Sequence, residues 1–202
     1  MNRIKKLETV DKNIIKESIF LLDSEIQDSI FFNLSNDLKY EYIKKFIEDK
    51  NLYFYGYFSK DELIGCALLG NNPNEYVRSF QSFNYKIILH LMINLKFITL
   101  LNIFFAYLKI DIFFLDKNKK DIINNNINLN LIVIKNSFQS KGFGSIFLEQ
   151  ILEDLKKIER KSISLEANNL KAISFYKKKM KFVEIGYKIR LFKAQTILVR
   201  DL

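Results

Sequence analysis

The chain has 202 residues, of which 49% are hydrophobic and 27% charged, a balance typical of one folded globular domain. With one Cys and one His, the sequence excludes an internal disulfide and predicts no transition-metal site. The net charge is +9, but no zinc finger, aromatic RNA-binding signature or basic heptad region accompanies it, so we predict no nucleic-acid partner.

The N-terminal region predicts a short strand followed by two helices. The strand is expected at residues 7–10, and apolar residues at helical spacing predict helices at 13–23 and 37–47. Asn36 or Asp37 is the expected cap of the second helix. The first residues lack the apolar run of a signal peptide, so we expect a reducing, cytoplasmic compartment.

Residues 52–58 and 63–69 form two apolar runs joined by four polar residues, which predicts a β-hairpin. Cys66 lies within the second run. With no histidine or helix N-terminus nearby in sequence, we interpret it as a packed side chain rather than a reactive thiol.

A dense apolar segment follows at about residues 77–115. Its uncharged stretch, 97–108, is too short to cross a bilayer as a helix. Lys86, His90 and Asn94 recur every four residues and predict a polar stripe that faces solvent. We favour a helical insertion packed on the sheet over contact with a membrane surface.

The C-terminal half alternates strands with helices, which indicates an α/β or α+β domain around one mixed sheet. An Asn-rich loop is expected at 116–126, and the apolar residues that follow alternate with asparagines, which predicts a strand that ends in an apolar tip at 132–134. The predicted elements are a strand at 127–134, a helix at 142–158, a strand at 162–166, a helix at 171–180, and strands at 182–189 and 196–200.

A glycine-containing loop at residues 139–145 connects the strand to the helix that follows. Its glycines allow close approach of a ligand, and the first amides of the helix have no helical partner, so the segment is suited to a pyrophosphate. Ser145 and Ile146 after Gly144 exclude a P-loop, and Phe147 replaces the third glycine of the dinucleotide fingerprint.

Together, two segments resemble the GNAT N-acyltransferase superfamily. They are the Gln-x-x-Gly-x-Gly loop at 139–144 and the Asn-x-x-Ala-x-x-aromatic-Tyr segment at 169–176. The resemblance implies a mixed, mostly antiparallel central sheet flanked by helices. It also implies one domain over 1–202, with an acyl-coenzyme A-binding core at about 127–187.

The resemblance assigns roles to individual residues. Backbone groups of a splayed strand would pair with the pantetheine arm, at Ile132, Val133 and Ile134. The pyrophosphate would be held by Gln139, Ser140, Lys141, Gly142, Phe143, Gly144 and Ser145. Asn169 would bond the pantetheine region, and Tyr176 would protonate the departing thiolate.

The sequence departs from the family pattern after Tyr176. The connection to Phe182 is one residue longer than usual and lacks the glycine that normally precedes the phenylalanine. No general base is evident, because Asn128 and Asn130 stand where a carboxylate is expected and Glu166 is a weak candidate.

These features lead to the hypothesis of a cytoplasmic N-acetyltransferase. It would move an acetyl group from acetyl-CoA, without a metal, to a primary amine of a small molecule or amino sugar, by direct attack through a tetrahedral intermediate. The alternatives are acetylation of a protein N-terminus or lysine, and a non-catalytic acyl-CoA-binding or membrane-surface module. The apolar segment is expected to border the acceptor site. The sequence is compatible with a homodimer.

Overall fold

The structure, a computed structural model, describes residues 2–26, 31–71, 81–108, 110, 112, 115–190 and 193–202. A seven-stranded sheet lies at its centre in the order β1-β2-β3-β4-β5-β7-β6, and only β4 and β5 pair in parallel. The strands are β1 (Asn2–Lys6), β2 (Leu52–Ser59), β3 (Glu62–Gly70), β4 (Ile127–Ile134), β5 (Ser162–Ala167), β6 (Val183–Arg190) and β7 (Lys193–Asp201).

Helices flank this sheet. Those in the described part of the chain are α1 (Lys12–Glu25), α2 (Asn36–Glu48), α3 (Gln81–Ile93), α4 (Phe97–Tyr107), α5 (Lys117–Asn125), α6 (Phe143–Lys157) and α7 (Leu170–Ser174). The predicted architecture, a mostly antiparallel mixed sheet flanked by helices, is therefore confirmed.

Both faces of the sheet are covered, which explains the continuous apolar strands. Every residue of β2 from Leu52 to Phe58 is buried. Phe54 belongs to the core shared with α1, α2 and α3, whereas Tyr57 belongs to the core shared with α6. Alternate residues of one strand thus enter different cores, so neither set has to be polar.

The predicted hairpin is confirmed as β2 and β3, joined through Lys60 and Asp61, whose φ angles are 48° and 70°. Two residues with positive φ match the twist of the paired strands. The predicted first strand at 7–10 is wrong, because β1 precedes it and Asp11 already caps α1. The predicted caps of α2, Asn36 and Asp37, are wrong, because the side chain of Ser35 accepts the capping hydrogen bond from the Leu38 N–H.

The Asn-rich segment predicted as a loop at 116–126 is the helix α5. Asp116 caps it by accepting a hydrogen bond from the Lys119 backbone N–H at 2.9 Å. Ile122 and Ile123 follow one turn later, and Ile123 lines a small cavity beneath the helix. A side-chain cap and one packed side chain thus outweigh the low helix propensity of asparagine.

A β-bulge in β4 divides its apolar residues between the two faces of the sheet. Leu129 lies opposite Leu69 and Leu131 opposite Leu68, so Asn130 is an extra residue. Side chains alternate between the two faces of a strand, and one extra residue shifts every later side chain to the opposite face. Leu129 therefore packs in the core with α6, whereas Leu131 packs in the core on the opposite face.

The apolar insertion is anchored by few side chains. Ile87 and Leu91 of α3 are buried in the core with α1 and α2. The predicted polar stripe does not simply face solvent, because His90 is partly buried with Nε2 3.3 Å from the Asn33 carbonyl oxygen. The start of the insertion, residues 77–80, lies outside the described residues.

Candidate active site

Helix α6 begins without a side-chain cap. Gly142 occupies the N-cap position in the left-handed region, with φ 88°, and has no side chain to accept a hydrogen bond. The N–H of Ser145 donates to the Gly142 carbonyl at 3.1 Å, so it is already occupied. The N–H groups of Phe143 and Gly144 precede it and have no helical partner, and they lie at the positive end of a 15-residue helix.

The approach to these amides is open. A Cβ placed on Gly142 would meet no atom within 4 Å, and one on Gly144 would meet only Cζ of Phe175, at 3.9 Å. Phe175 precedes Tyr176 in the second sequence motif. The two motifs, about thirty residues apart in the chain, therefore meet at the N-terminus of α6.

The loop before α6 is braced from α1. Glu25 accepts hydrogen bonds from the Asn136 backbone N–H and from Nε2 of Gln139, each at 3.1 Å. Nε2 of Gln139 also donates to the Ile134 carbonyl at 2.8 Å. Gln139 thus positions the loop through Nε2, and its contact with a pyrophosphate stays a prediction. No sequence signal pointed to Glu25.

The predicted lysine and serine of this loop shape its last turn. Nζ of Lys141 donates to the Ser137 carbonyl at 2.8 Å, so the ammonium group is held beside the loop. Ser140 has φ 61°, a left-handed conformation that reverses the chain ahead of Gly142. Phe143 presents only its amide to the opening, because its ring packs against Tyr57 and Phe138.

A wedge opens between β4 and β5. The two strands pair only from Ile127 to Leu129, after which β5 continues along β7 and β4 along β3. The Lys135 N–H donates to Ile64 of β3, so strand alternation turns the backbone groups of Ile132 and Ile134 toward the wedge.

Of the three predicted backbone positions, Ile132 keeps both its N–H and its carbonyl available to the wedge, and Ile134 keeps its N–H. The carbonyl of Ile134 already accepts from Gln139, and Val133 pairs with Cys66 on the other side. Strand alternation directs the backbone groups of Val133 toward β3 rather than toward the wedge, and its contact with a pantetheine arm stays a prediction.

The extra residue after Tyr176 is absorbed by a π-helical turn. Helix α7 continues as a π-helix over Phe175–Lys179, with the Met180 N–H donating to the Phe175 carbonyl at 3.2 Å. A π-helical turn accommodates one more residue than an α-helical turn. Lys181, which stands in place of the family's glycine, adopts φ 55°.

Tyr176 lies in the core with its ring between Phe175 and Phe182, at centroid distances of 5.2 and 5.6 Å. Only 8% of the residue is exposed, and burial raises the pKa of its phenol to about 12. Within the described part of the chain no hydrogen bond to its hydroxyl is formed. The phenol is therefore protonated at neutral pH and has a proton to donate.

Asn169 is the N-cap of α7. Its Oδ1 accepts a hydrogen bond from the Lys171 backbone N–H at 2.8 Å. Oδ1 therefore serves to cap the helix, and Nδ2 forms no part of the cap. Any contact with a pantetheine arm would have to use Nδ2.

Glu166 is unsuited to act as a general base. Its carboxylate forms ion pairs with Lys188 and Arg190, the latter with 3.5 Å between Nη1 and Oε2. Burial by itself raises the pKa of this carboxyl, but the two cations outweigh it and hold the pKa below 4.5. A carboxylate held in this way is a poor proton acceptor at neutral pH.

Asn130, at the bulge of β4, has a buried side-chain amide that the sequence pattern did not reveal. Its Nδ2 is buried and has no hydrogen-bond partner in the described part of the chain. It lies one residue past the last β4–β5 pair, where the wedge opens. A buried amide without a partner is costly, so a bound ligand that accepts this hydrogen bond would be favoured.

Residues 112–182 match the Acetyltransferase (GNAT) family. Solved structures with this fold include the ribosomal-protein-S18-alanine N-acetyltransferase of Escherichia coli, with 11% identity, TM-score 0.60, and 100% of this chain and 94% of that chain covered. The polyamine N-acetyltransferase of Drosophila melanogaster has 7% identity and TM-score 0.63, with 99% and 100% covered. A Bacillus subtilis acetyltransferase in complex with CoA has 16% identity and TM-score 0.57, with 100% and 99% covered. No curated protein matches the sequence.

The family match and the arrangement of its two motifs define this protein as an acyltransferase. The resemblance to the GNAT family seen in the sequence is confirmed over residues 112–182. At these low identities, the solved structures establish the shared fold alone.

Replacing Glu166 with Gln should destabilise the protein. At neutral pH the free energy of unfolding should fall by about 2–4 kcal/mol, because two cations lose a mostly buried carboxylate. A lowered pKa stabilises the fold at pH values above the unfolded pKa, so the difference from wild type should shrink as the pH falls well below 4.5. Urea unfolding of both proteins at several pH values measures this difference in the free energy of unfolding.

Glu62→Gln is the matched control, since Glu62 pairs with Lys135 at the surface, where half of its side chain is exposed. It should cost less than about 1 kcal/mol. Equal costs for the two variants would show that the Glu166 cluster contributes no more than an exposed pair.

Proposed function

We propose that the protein transfers an acetyl group from acetyl-CoA to a primary amine of a small molecule. The observation that carries this proposal is the pair of unpartnered amides at the start of α6, next to the wedge between β4 and β5. The family match over residues 112–182 supports the acyl transfer. The solved relative with CoA supports the choice of co-substrate.

The residues present fit a coenzyme A in two respects. The N–H groups of Phe143 and Gly144, with the charge of Lys141, would hold the pyrophosphate, and the glycines beside them leave space for it. The N–H of Ile132 would donate to the thioester carbonyl, and an oriented donor to developing negative charge contributes about 3 kcal/mol. Coenzyme A supplies an acyl group activated as a thioester.

Tyr176 would act on the leaving sulfur. A thiol has a pKa near 8.5, so complete proton transfer from a phenol of pKa about 12 is uphill by about 5 kcal/mol. We therefore infer that the hydroxyl stabilises the sulfur mainly by donating a hydrogen bond as negative charge develops. The family resemblance implies that Tyr176 transfers its proton fully to the thiolate, whereas we propose that it only donates a hydrogen bond.

The acceptor amine would have to lose a proton without a carboxylate base from β5, since Glu166 is held by two cations. A neutral amine, or one that loses its proton through water, meets this requirement. The relative from Drosophila acetylates polyamines. The net charge of +9 disfavours polycations here, so we propose an acceptor with at most one positive charge, such as an amino sugar.

The decisive experiment is turnover with a panel of amines. Purified protein is mixed with acetyl-CoA and amino sugars, monoamines, polyamines or peptides, and thiol release is followed while calorimetry measures CoA binding. We expect CoA binding and turnover with at least one monoamine or amino sugar. Absence of CoA binding would refute the proposal, and binding without turnover on any amine would favour a non-catalytic module.

Lys141→Glu should weaken CoA binding. Reversing the charge beside the α6 amides should raise the Kd for CoA by about tenfold or more, equivalent to about 1.4 kcal/mol. Lys157→Glu is the control, because it makes the same change at the opposite end of α6. Calorimetry on both variants measures the effect, and equal Kd values would place the pyrophosphate elsewhere.

Tyr176→Phe should lower kcat by about 100-fold or more and leave the Kd for CoA unchanged. The substitution keeps the ring packed and removes only the hydroxyl. Tyr187→Phe on β6, where the residue is 55% exposed, is the control and should retain activity. A Tyr176→Phe enzyme with wild-type kcat would exclude this hydroxyl from the reaction.

A further inference from the structure

Helices α3 and α4, with the turn between them, present a large apolar surface to solvent. Monomeric soluble proteins rarely expose contiguous apolar patches above about a few hundred Å². Here nine apolar side chains of adjacent segments are more than half exposed. We call this set the α3–α4 face: Tyr85, Leu89, Met92, Ile93, Leu95, Phe97, Ile98, Phe104 and Tyr107.

Helix α4 exposes more apolar side chains than an ordinary surface helix. On its inner side Leu100 and Ile103 pack against the core, but its fully buried residues are the polar Thr99 and Asn102, at 4% and 8% exposure. Its exposed residues include Phe97, Ile98 and Phe104. A helix at an aqueous surface normally has polar residues on its outer side, so the outer side of α4 is suited to an apolar environment.

The two buried polar residues of α4 have hydrogen-bond partners. Nδ2 of Asn33, in the connection between α1 and α2, donates to Thr99 Oγ1 at 3.3 Å and ties α4 to that connection. Nδ2 of Asn102 donates to the Ile98 carbonyl one turn earlier, within α4, at 2.7 Å. Since these polar groups are satisfied, α4 can keep them inside while its larger apolar residues stay exposed.

The turn between α3 and α4 also exposes a large apolar side chain. Leu95 occupies the left-handed region with φ 53° and is 69% exposed. Glycine or asparagine is the usual residue at such a helix end. An exposed leucine there extends the α3–α4 face across the tip of the helix pair.

The charge of this segment is of one sign. Residues 76–110 contain no Asp or Glu and four basic residues, which are Arg78, Lys86, Lys96 and Lys109. Lys86 pairs with Glu41 of α2, whereas Lys96 lies at the start of α4 beside the exposed apolar residues. A partner of this face must therefore accept apolar side chains and complement positive charge.

We propose that the α3–α4 face docks on the surface of an anionic lipid bilayer. Acyl chains accommodate the apolar side chains, and anionic headgroups complement the basic residues. A second copy would bring two positively charged segments together, which disfavours it as the occupant. In the described part of the chain no helix has the length and apolar character to cross a bilayer, so the helices would lie along its surface.

Sedimentation with lipid vesicles tests the proposal. Vesicles of phosphatidylcholine alone are compared with vesicles that also contain phosphatidylglycerol, at low and high salt. The wild-type protein should bind the anionic vesicles at least tenfold more tightly than the neutral ones, and high salt should weaken binding. Indifference to both lipid charge and salt, or absence of binding, would overturn the proposal.

Variants locate the contact. Phe97→Asp and Ile93→Asp should each reduce binding to anionic vesicles by tenfold or more, and Lys96→Glu should reduce it by a smaller factor. Phe20→Asp is the matched control, because Phe20 is 75% exposed on α1 and lies outside the α3–α4 face. Circular dichroism and thermal unfolding must match wild type for each variant compared.

Wild-type vesicle binding in both Asp variants would overturn the proposal, and equal losses in Phe20→Asp would do the same. Light scattering adds the remaining test. A concentration-dependent dimer that Phe97→Asp abolishes, without vesicle binding by the wild type, would assign the face to a second copy instead. None of these readouts depends on acetyl transfer, so the docking and the proposed function can fail separately.

Discussion

The parting of β4 from β5 is the constraint on which the candidate site depends. The strands share only three residue pairs, and the bulge at Asn130 immediately follows the last of them. A bulge adds local twist and bends its strand. Here it coincides with the point where β4 leaves β5, so backbone groups that would complete a continuous sheet face a wedge.

Helix α6 can begin uncapped at this wedge because packing elsewhere stabilises it. Phe147, Ile151 and Leu155 are fully buried along one side of the helix. Residues in left-handed conformations, Ser140, Gly142 and Lys181, also lie in the loops next to the site. Unpartnered amides and strained backbone are destabilising, and they persist where surrounding structure determines them. The packing of α6 provides that structure.

The two sides of the sheet differ in what their helices do. Helix α6 buries its apolar side completely and offers its N-terminus as a binding site, whereas α3 and α4 bury few residues and expose most of theirs. The connection after α1 reaches α3 and α4 through Asn33, and the last turn of α1 braces the loop before α6 through Glu25. Helix α1 and the connection after it thus contact both the loop before α6 and the helices α3 and α4.

By itself, the sequence determined the features encoded by local pattern. These are the hairpin of β2 and β3, the amphipathic helix α6, and the two motifs that resemble those of the GNAT family. The tertiary structure alone decided the bulge at Asn130, the pairing of Glu166 with its cations, the bracing by Glu25, and the outward orientation of α4. Each of these depends on a partner distant in the chain, for example Glu25 and Gln139, which are separated by 114 residues. Periodicity reports which residues share a face of one element, but the contact that face makes is chosen by packing among elements.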